Sequence, residues 1–161
     1  MLIIVTGMIL LPLSLIPIYM YSKLLSNIEF SKRKERFLPL LITTILYYLT
    51  FLILKRIPIS GLILGMIGSA TISLFFLCMV SLKYNISLHA AGSGGLFGFL
   101  LAITLRLGLF SPIALYGSIL LAGVAGVSRL KQNAHKPAEI YLGYLGGFVF
   151  CFVFNYYFRI Q

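Results

Sequence analysis

Charged residues are scarce in this chain of 161 residues. Asp and Glu together number three, and all charged residues make up 10% of the sequence, against roughly 25% in soluble globular domains. Hydrophobic residues supply 60%. This balance excludes a soluble domain and indicates a protein embedded in a membrane. No hydrophilic stretch is long enough for a second domain, so we expect residues 1–161 to form a single transmembrane domain.

Cysteine is also rare. Cys78 and Cys151 both lie inside apolar runs, where a thiol behaves as a small hydrophobic group. Neither indicates a disulfide framework or a metal site. The net charge of +10 is typical of some nucleic-acid-binding proteins, but the basic residues fall between apolar runs and not on one soluble face. We therefore expect membrane lipids with anionic headgroups as partners, and no nucleic acid.

Six apolar runs are present, each close to the roughly 20 residues that a helix needs to cross about 30 Å of hydrocarbon. They cover approximately residues 2–22, 37–54, 58–80, 89–108, 111–128 and 138–158. Such long, continuous runs exclude barrel strands, so the sequence predicts an all-α polytopic membrane protein with six transmembrane helices in one bundle. The first run lacks a basic leader and a small-residue cleavage site, which favours a retained span over a signal peptide.

Glycines are concentrated in the second half of the chain. Small residues at short spacing let membrane helices approach each other closely. They occur in this way in spans four, five and six: Gly92, Gly95, Gly98, Gly123, Gly126, Gly143 and Gly146. We interpret them as helix-packing residues, and we expect spans four to six to form a tight core with the first two spans more peripheral.

Rare polar residues are predicted to share one side of the membrane. Six spans place the loops after spans one, three and five on the same side, and these loops and the adjoining helix ends hold Lys83, His89, Arg129, His135 and Glu139. Both histidines of the chain belong to this set. Ionisable groups at a membrane are costly, and a cluster of them indicates a functional site. The alternative for either histidine alone is a structural hydrogen-bonding role at a helix start.

Histidine beside a carboxylate, with fixed positive charge nearby, suits covalent phosphoryl transfer. The carboxylate orients one ring nitrogen and leaves the other free to attack, while arginine and lysine hold the phosphoryl oxygens. A second histidine can protonate the leaving oxygen. At positions i and i+4 around Pro137, His135 and Glu139 are predicted to meet on one face of the first turn of span six.

The segment from Ser128 to Glu139 resembles a motif of a known family. Ser128-Arg129, five residues, His135, three residues and Glu139 are similar to Ser-Arg-x5-His-x3-Asp, the third motif of the type 2 phosphatidic acid phosphatase superfamily. These proteins are integral-membrane lipid phosphate phosphatases. The resemblance covers about residues 58–158, the motif-bearing core, and the motif joins spans five and six as it does in the family.

A second resemblance lies at the start of span four. Ile86-Ser87-Leu88-His89 is similar to the family's second motif, Pro-Ser-Gly-His. The family's first motif, Lys-x6-Arg-Pro, is represented at most by Lys83, since no Arg-Pro occurs in the chain.

By position, the resemblance implies His135 as the nucleophile that becomes a phosphohistidine, with Glu139 in place of the orienting aspartate and His89 as general acid. The implied phosphate ligands are Arg129, Ser87 and Lys83. The implied reaction is hydrolysis of phosphate from a lipid phosphate or polyprenyl diphosphate, with no metal and no cofactor. The departures from the family motifs support an alternative, a catalytically degenerate member that binds or transports a phosphorylated lipid. A third hypothesis is a structural or partner-docking membrane protein.

Orientation is predicted differently by two arguments. Nine Lys and Arg residues fall on the motif side and four on the other, so the positive-inside rule places the motif side in the cytoplasm. The family resemblance implies the periplasmic face of a bacterial inner membrane, and we follow it. The basic run 31–36 is interpreted as a solvated loop near lipid headgroups, or as a second contact for an anionic headgroup.

Overall fold

The fold was described from a computed structural model, which covers residues 2–14, 33–132 and 136–157. Helix α1 is α-helical over Leu2–Val5 and widens into a π-helical turn at Thr6–Leu10. The helices that follow are α2 (Arg33–Leu54), α3 (Gly61–Ser81), α4 (Leu88–Leu107), α5 (Pro112–Lys131) and α6 (Pro137–Tyr157). No strand occurs within the described ranges. The end of the predicted first span and the basic run up to position 32 lie outside them.

Helices α2 to α6 are long and apolar enough to cross a membrane. The chain is therefore an all-α polytopic integral membrane protein, as predicted. The boundaries of these five helices lie within four residues of the predicted ones, because continuous apolar length and the turn residues between runs define a membrane helix locally. The end of α4 illustrates this, since Gly108 takes the left-handed conformation there, with φ of 67°.

Helices α4 and α6 form the most closely packed pair of the bundle. Two glycines on each helix, four residues apart, face the backbone of the other. A Cβ atom at Gly98 would lie 2.5 Å from the carbonyl oxygen of Phe148, and one at Gly143 would lie 2.7 Å from that of Ser87. Cβ atoms at Gly94 and Gly147 would overlap backbone carbonyl groups of the partner helix. Glycine therefore allows the two backbones to touch.

Hydrogen bonds link the same pair near both ends. At one end the Ser87 N–H donates to the carbonyl oxygen of Glu139 at 3.3 Å. At the other, Arg106 Nη1 donates to the carbonyl oxygen of Asn155 at 3.1 Å. Asn155 is fully buried, and its Nδ2 donates to the carbonyl oxygen of Cys151 at 2.8 Å. The α4–α6 pair is thus held by close backbone packing at the glycines and by polar contacts near both ends of the pair.

The third helix, and not the fifth, completes the core. Helix α3 packs on α6 and on α2, and 44% of its span is buried against 6% for α5. Helix α5 packs along α4 and scarcely touches α6. The prediction that spans four to six form the core is therefore wrong for span five. The reason is visible at Gly123, where a Cβ atom would have nothing within 4 Å, since small residues permit close packing without requiring it.

Candidate functional site

Two segments that carry the predicted site residues meet at one end of the bundle. The turn before α4 reaches the start of α6 through the hydrogen bond from the Ser87 N–H to Glu139. The first turn of α4 reaches the last turn of α5 through His89 and Arg129, which are 40 residues apart in the chain. The site is therefore built where α4 begins, α5 ends and α6 begins.

Arg129 and His89 are in direct contact. Nη2 of Arg129 lies 3.1 Å from Nδ1 and 3.0 Å from Nε2 of the imidazole. The two ring nitrogens lie on either side of Cε1. Because Nη2 of Arg129 is nearly equidistant from both, it lies beside the Cε1 edge of the ring and does not point along the lone pair of one nitrogen. A ring nitrogen that accepts from arginine is unprotonated. The contact thus places a fixed positive charge beside an imidazole.

The side chains of this contact are accessible. His89 is exposed and Arg129 is partly exposed. Arg129 also donates from Nη1 to Gln132 Oε1 at 3.4 Å, and Gln132 Nε2 lies 3.5 Å from Ser128 Oγ. Sequence reasoning did not include Gln132, although its position three residues after Arg129 places it on the same helix face. This polar cluster is exposed at one end of the bundle, with the guanidinium at its centre.

Two helix N-termini add positive potential to the site, while the C-terminus of α5 and the Glu139 carboxylate add negative potential. The N-termini of α4 and α6 both lie here, and each presents backbone N–H groups and the positive end of a helix dipole. Their first residues, Leu88 and Pro137, follow Ser87 and Lys136 directly. Together with Arg129, this arrangement favours an anion with several acceptor oxygens, such as a phosphate group.

Ser87 lies in a different environment from His89. It is the N-cap residue of α4, where its Oγ accepts from the Ala90 N–H at 3.4 Å, and its exposed fraction is 0%. Gly143 of α6 packs against its carbonyl group. The structure therefore does not bring the Ser87 hydroxyl to the surface with His89 and Arg129. Serine at an N-cap satisfies an otherwise unpaired helix N–H.

Glu139 stabilises the start of α6. Its Oε2 accepts from the Lys136 N–H at 3.1 Å, and Pro137 occupies the first helical position. A carboxylate three residues into a helix that reaches back to the cap residue is half of a capping box. The Lys-Pro-x-Glu spacing is the sequence signal for this role, which the motif comparison did not use.

Two predicted site residues remain, Lys83 and His135. Lys83 lies in the exposed turn after α3, and its side chain makes no hydrogen bond or ion pair with His89, Arg129 or Glu139. His135, the predicted nucleophile, lies outside the described residues. Within the described part of the chain, no group of three or more His, Cys, Asp or Glu side chains could hold a metal ion.

Comparison of the chain with protein-family models, with curated proteins and with solved structures finds no match. The fold and the site define a class nonetheless. The chain is a polytopic helical membrane protein with an accessible arginine–histidine contact where three of its helices end or begin.

Proposed function

We propose that the chain is an integral-membrane lipid phosphate phosphatase that acts through a phosphohistidine at His135. The main support is the contact between His89 and Arg129, at 3.0 Å. It joins the two segments whose residues resemble consecutive motifs of the type 2 phosphatidic acid phosphatases. Neither residue needs the other for packing, because both are at least partly exposed.

Arg129 is proposed to bind the phosphate. A guanidinium offers a planar fork of donors that matches two phosphate oxygens. The N-termini of α4 and α6 contribute to the same potential, and Lys83 supplies a further positive charge from its exposed turn. Ser87 serves this site indirectly, by capping α4 beneath His89. The ligand is a phosphate on a lipid, since the site lies at the end of membrane-spanning helices.

The proposed reaction has two steps and needs water as its only co-reactant. Arg129 first exchanges its contact with His89 for the phosphate, which leaves both ring nitrogens of His89 able to carry a proton. A neutral ring nitrogen of His135 then attacks phosphorus, the bond from phosphorus to the leaving oxygen breaks, and protonated His89 gives its proton to that oxygen. Water then attacks phosphorus, the phosphorus–nitrogen bond breaks, and His89 takes up the proton that water loses. The products are inorganic phosphate and a lipid alcohol, or a polyprenyl monophosphate where the substrate is a diphosphate.

A phosphate-release assay tests the proposal. Purified protein, with a chelator present, is expected to release phosphate from at least one of phosphatidic acid, phosphatidylglycerol phosphate, undecaprenyl diphosphate and lipid A phosphates. His135→Ala should abolish release, while Lys55→Ala, at an exposed basic residue between α2 and α3 at the other end of the bundle, should retain it. Release that is unchanged by His135→Ala would contradict the assignment.

Binding without hydrolysis is the second candidate. The observation that favours it is the use of Glu139 and Ser87 as helix caps, since these are the roles of a structural carboxylate and a structural hydroxyl. A binder or transporter would form no phosphohistidine but would lose affinity for the phosphorylated lipid in Arg129→Ala. If neither His135→Ala nor Arg129→Ala changes lipid binding, a structural or docking role is indicated.

The proposed location is a bacterial inner membrane with the site facing the periplasm. The family resemblance supports this location. The excess of Lys and Arg on the same side predicts the opposite orientation, with the site in the cytoplasm. A cysteine introduced by Lys34→Cys lies on the motif side by span count, and a membrane-impermeant maleimide should label it in intact spheroplasts. Labelling only after the membrane is permeabilised would place the site in the cytoplasm.

A further inference from the structure

A cavity separates α3 from α4. These two helices touch little, although both pack on α6, and a partly open space of about 300 Å³ lies between them. Its walls run from Met66 to Leu77 on α3 and from Leu88 to Phe99 on α4, and Cys151 of α6 contributes to the lining. A volume of this size is at the lower end of the roughly 300–1,000 Å³ of small-molecule sites.

The cavity covers one leaflet of the membrane. Each wall extends over eleven residue steps, or about 16 Å at about 1.5 Å per residue. That length is close to half of the roughly 30 Å hydrocarbon thickness. One end is at Leu88, which immediately precedes His89 of the phosphate site. The cavity therefore runs from the level of the polar site towards the middle of the membrane.

Its chemistry favours hydrocarbon over water. Most of the lining is apolar. Of its three hydroxyl groups, those of Ser69 and Ser73 are already engaged, and the third belongs to Tyr47 of α2. Ser69 Oγ donates to the carbonyl oxygen of Met66 at 2.9 Å, and Ser73 Oγ lies 3.4 Å from Cys151 Sγ. Ordered water needs two to four polar partners, which such a surface supplies poorly.

Its width excludes a helix. A helix with side chains is about 10–12 Å across, so a space of about 300 Å³ would accommodate less than one helical turn. A single flexible chain fits where a packed helix does not. Gly92 contributes to this width, because it lines the cavity and a Cβ atom there would meet nothing within 4 Å.

We propose that this cavity binds one hydrocarbon chain of the phosphorylated lipid whose headgroup is held at Arg129 and His89. The inference rests on the proposed phosphate site for its choice of lipid. An anionic headgroup at Arg129 is complementary in charge, and its chain would enter beside Leu88 and end near Phe99. The cavity thereby selects a lipid within the leaflet on the side of the site.

Photolabelling in vesicles tests the proposal. The full-length protein is reconstituted with phosphatidic acid that carries a diazirine in the middle of one acyl chain, and the labelled residues are identified by mass spectrometry. Labelling is expected to be several-fold higher at Leu96 and Phe99 than at Leu120 and Val124 on the outer face of α5, which are 70% and 68% exposed. Equal labelling of both sets would overturn the inference, as would crosslinks that trap a second copy of the chain between α3 and α4.

A pair of glycine variants controls for folding. Gly92→Leu fills the cavity and should lower cavity labelling several-fold, whereas Gly117→Leu on α5, also with nothing within 4 Å of an added Cβ atom, should leave it unchanged. Cavity labelling that survives Gly92→Leu contradicts the proposal.

The two proposals fail in different ways. If cavity labelling is present and sensitive to Gly92→Leu but is equal for phosphatidic acid and a zwitterionic lipid with the same label, the chain site stands and the phosphate site fails. If phosphate release depends on His135 but labelling is uniform around the bundle, the phosphatase proposal stands and the chain site fails.

Discussion

Helices α5 and α6 both pack against α4 and both carry glycines, yet they pack in different ways. Helix α6 meets α4 through their backbones, since Gly94 and Gly98 of α4 face the backbone of α6, and Gly143 and Gly147 of α6 face the backbone at Ser87 and Ala91. Helix α5 lies mainly against α4, with only 6% of its span buried. Its glycines contact little, since an added Cβ atom at Gly126 would meet only Ile140, at 3.7 Å. The same residue type is a packing requirement in one helix and is replaceable in the other.

The difference reaches the proposed site. His89 and Glu139 stand at the start of the tightly packed pair, so their backbone positions are fixed by the α4–α6 contact. Arg129 is carried by α5, the helix with the least buried surface. The contact between His89 and Arg129 therefore joins a rigidly packed part of the molecule to a part that faces lipid over most of its length.

The largest effect is expected from adding one methyl group to the tight interface. Gly147→Ala places a Cβ atom against the backbone carbonyl of Ala91, which cannot move away as a flexible side chain could. Overpacking of this kind costs about 1–3 kcal/mol and occasionally more. We expect a marked loss of folded protein and a lower Tm in detergent micelles.

Gly123→Ala on α5 is the matched control. Nothing lies within 4 Å of its added Cβ atom, and alanine is favoured over glycine in a helix by about 1 kcal/mol. This variant should be as stable as the wild type or slightly more so. Similar Tm losses in the two variants would contradict the distinction between the two interfaces.

Local features of the sequence were sufficient for helices α2 to α6 and for the end of the bundle at which His89 and Arg129 lie. Apolar length located α2 to α6, and counting spans placed His89 and Arg129 at the same end of the bundle, where the structure brings them into contact. The exposed position of α5 could not be predicted in this way. Whether Gly123 or Gly98 meets another backbone depends on which face of each helix is turned inward, and that is decided by all the helices together.

Motif comparison also gave no indication of the structural roles of two site residues. Ser87 precedes α4 directly, and Glu139 lies three positions after Lys136, so both stand at helix-capping positions. A motif assigns one role to a residue, whereas a short polar side chain at a helix start can cap the helix and bind a ligand. In the described structure both residues meet local hydrogen-bond requirements of α4 and α6.

An intermediate effect is expected where α6 begins. Glu139→Ala removes the acceptor of the Lys136 N–H, and loss of a capping interaction costs typically about 1 kcal/mol. Glu139→Gln keeps an oxygen acceptor at the same distance along the side chain and should retain most of the stability. Unfolding of the two variants in detergent, followed by circular dichroism, measures this difference.

Phosphate release from the same two variants separates capping from catalysis. If Glu139 also orients His135, the glutamine variant should fold normally and lose most of its activity, because an amide cannot stabilise an imidazolium as a carboxylate does. Normal release by Glu139→Gln would restrict Glu139 to the helix cap and would remove it from the catalytic residues.

The smallest effect is expected on the outer face of α5. Leu120 is 70% exposed and Ile67 of α3 is fully buried. In a membrane an exposed apolar side chain contacts lipid both before and after the helices associate. Truncating such a side chain therefore removes no hydrophobic contribution to the free energy of association. Ile67→Ala should still destabilise the protein, at the lower end of the roughly 2–5 kcal/mol seen for buried Ile→Ala, because it leaves a cavity. Leu120→Ala should change the unfolding free energy by less than about 0.5 kcal/mol. Denaturant titration in bicelles measures both unfolding free energies. If Leu120→Ala costs as much as Ile67→Ala, the outer face of α5 is covered by another helix. The contrast between α5 and α6 would then be lost.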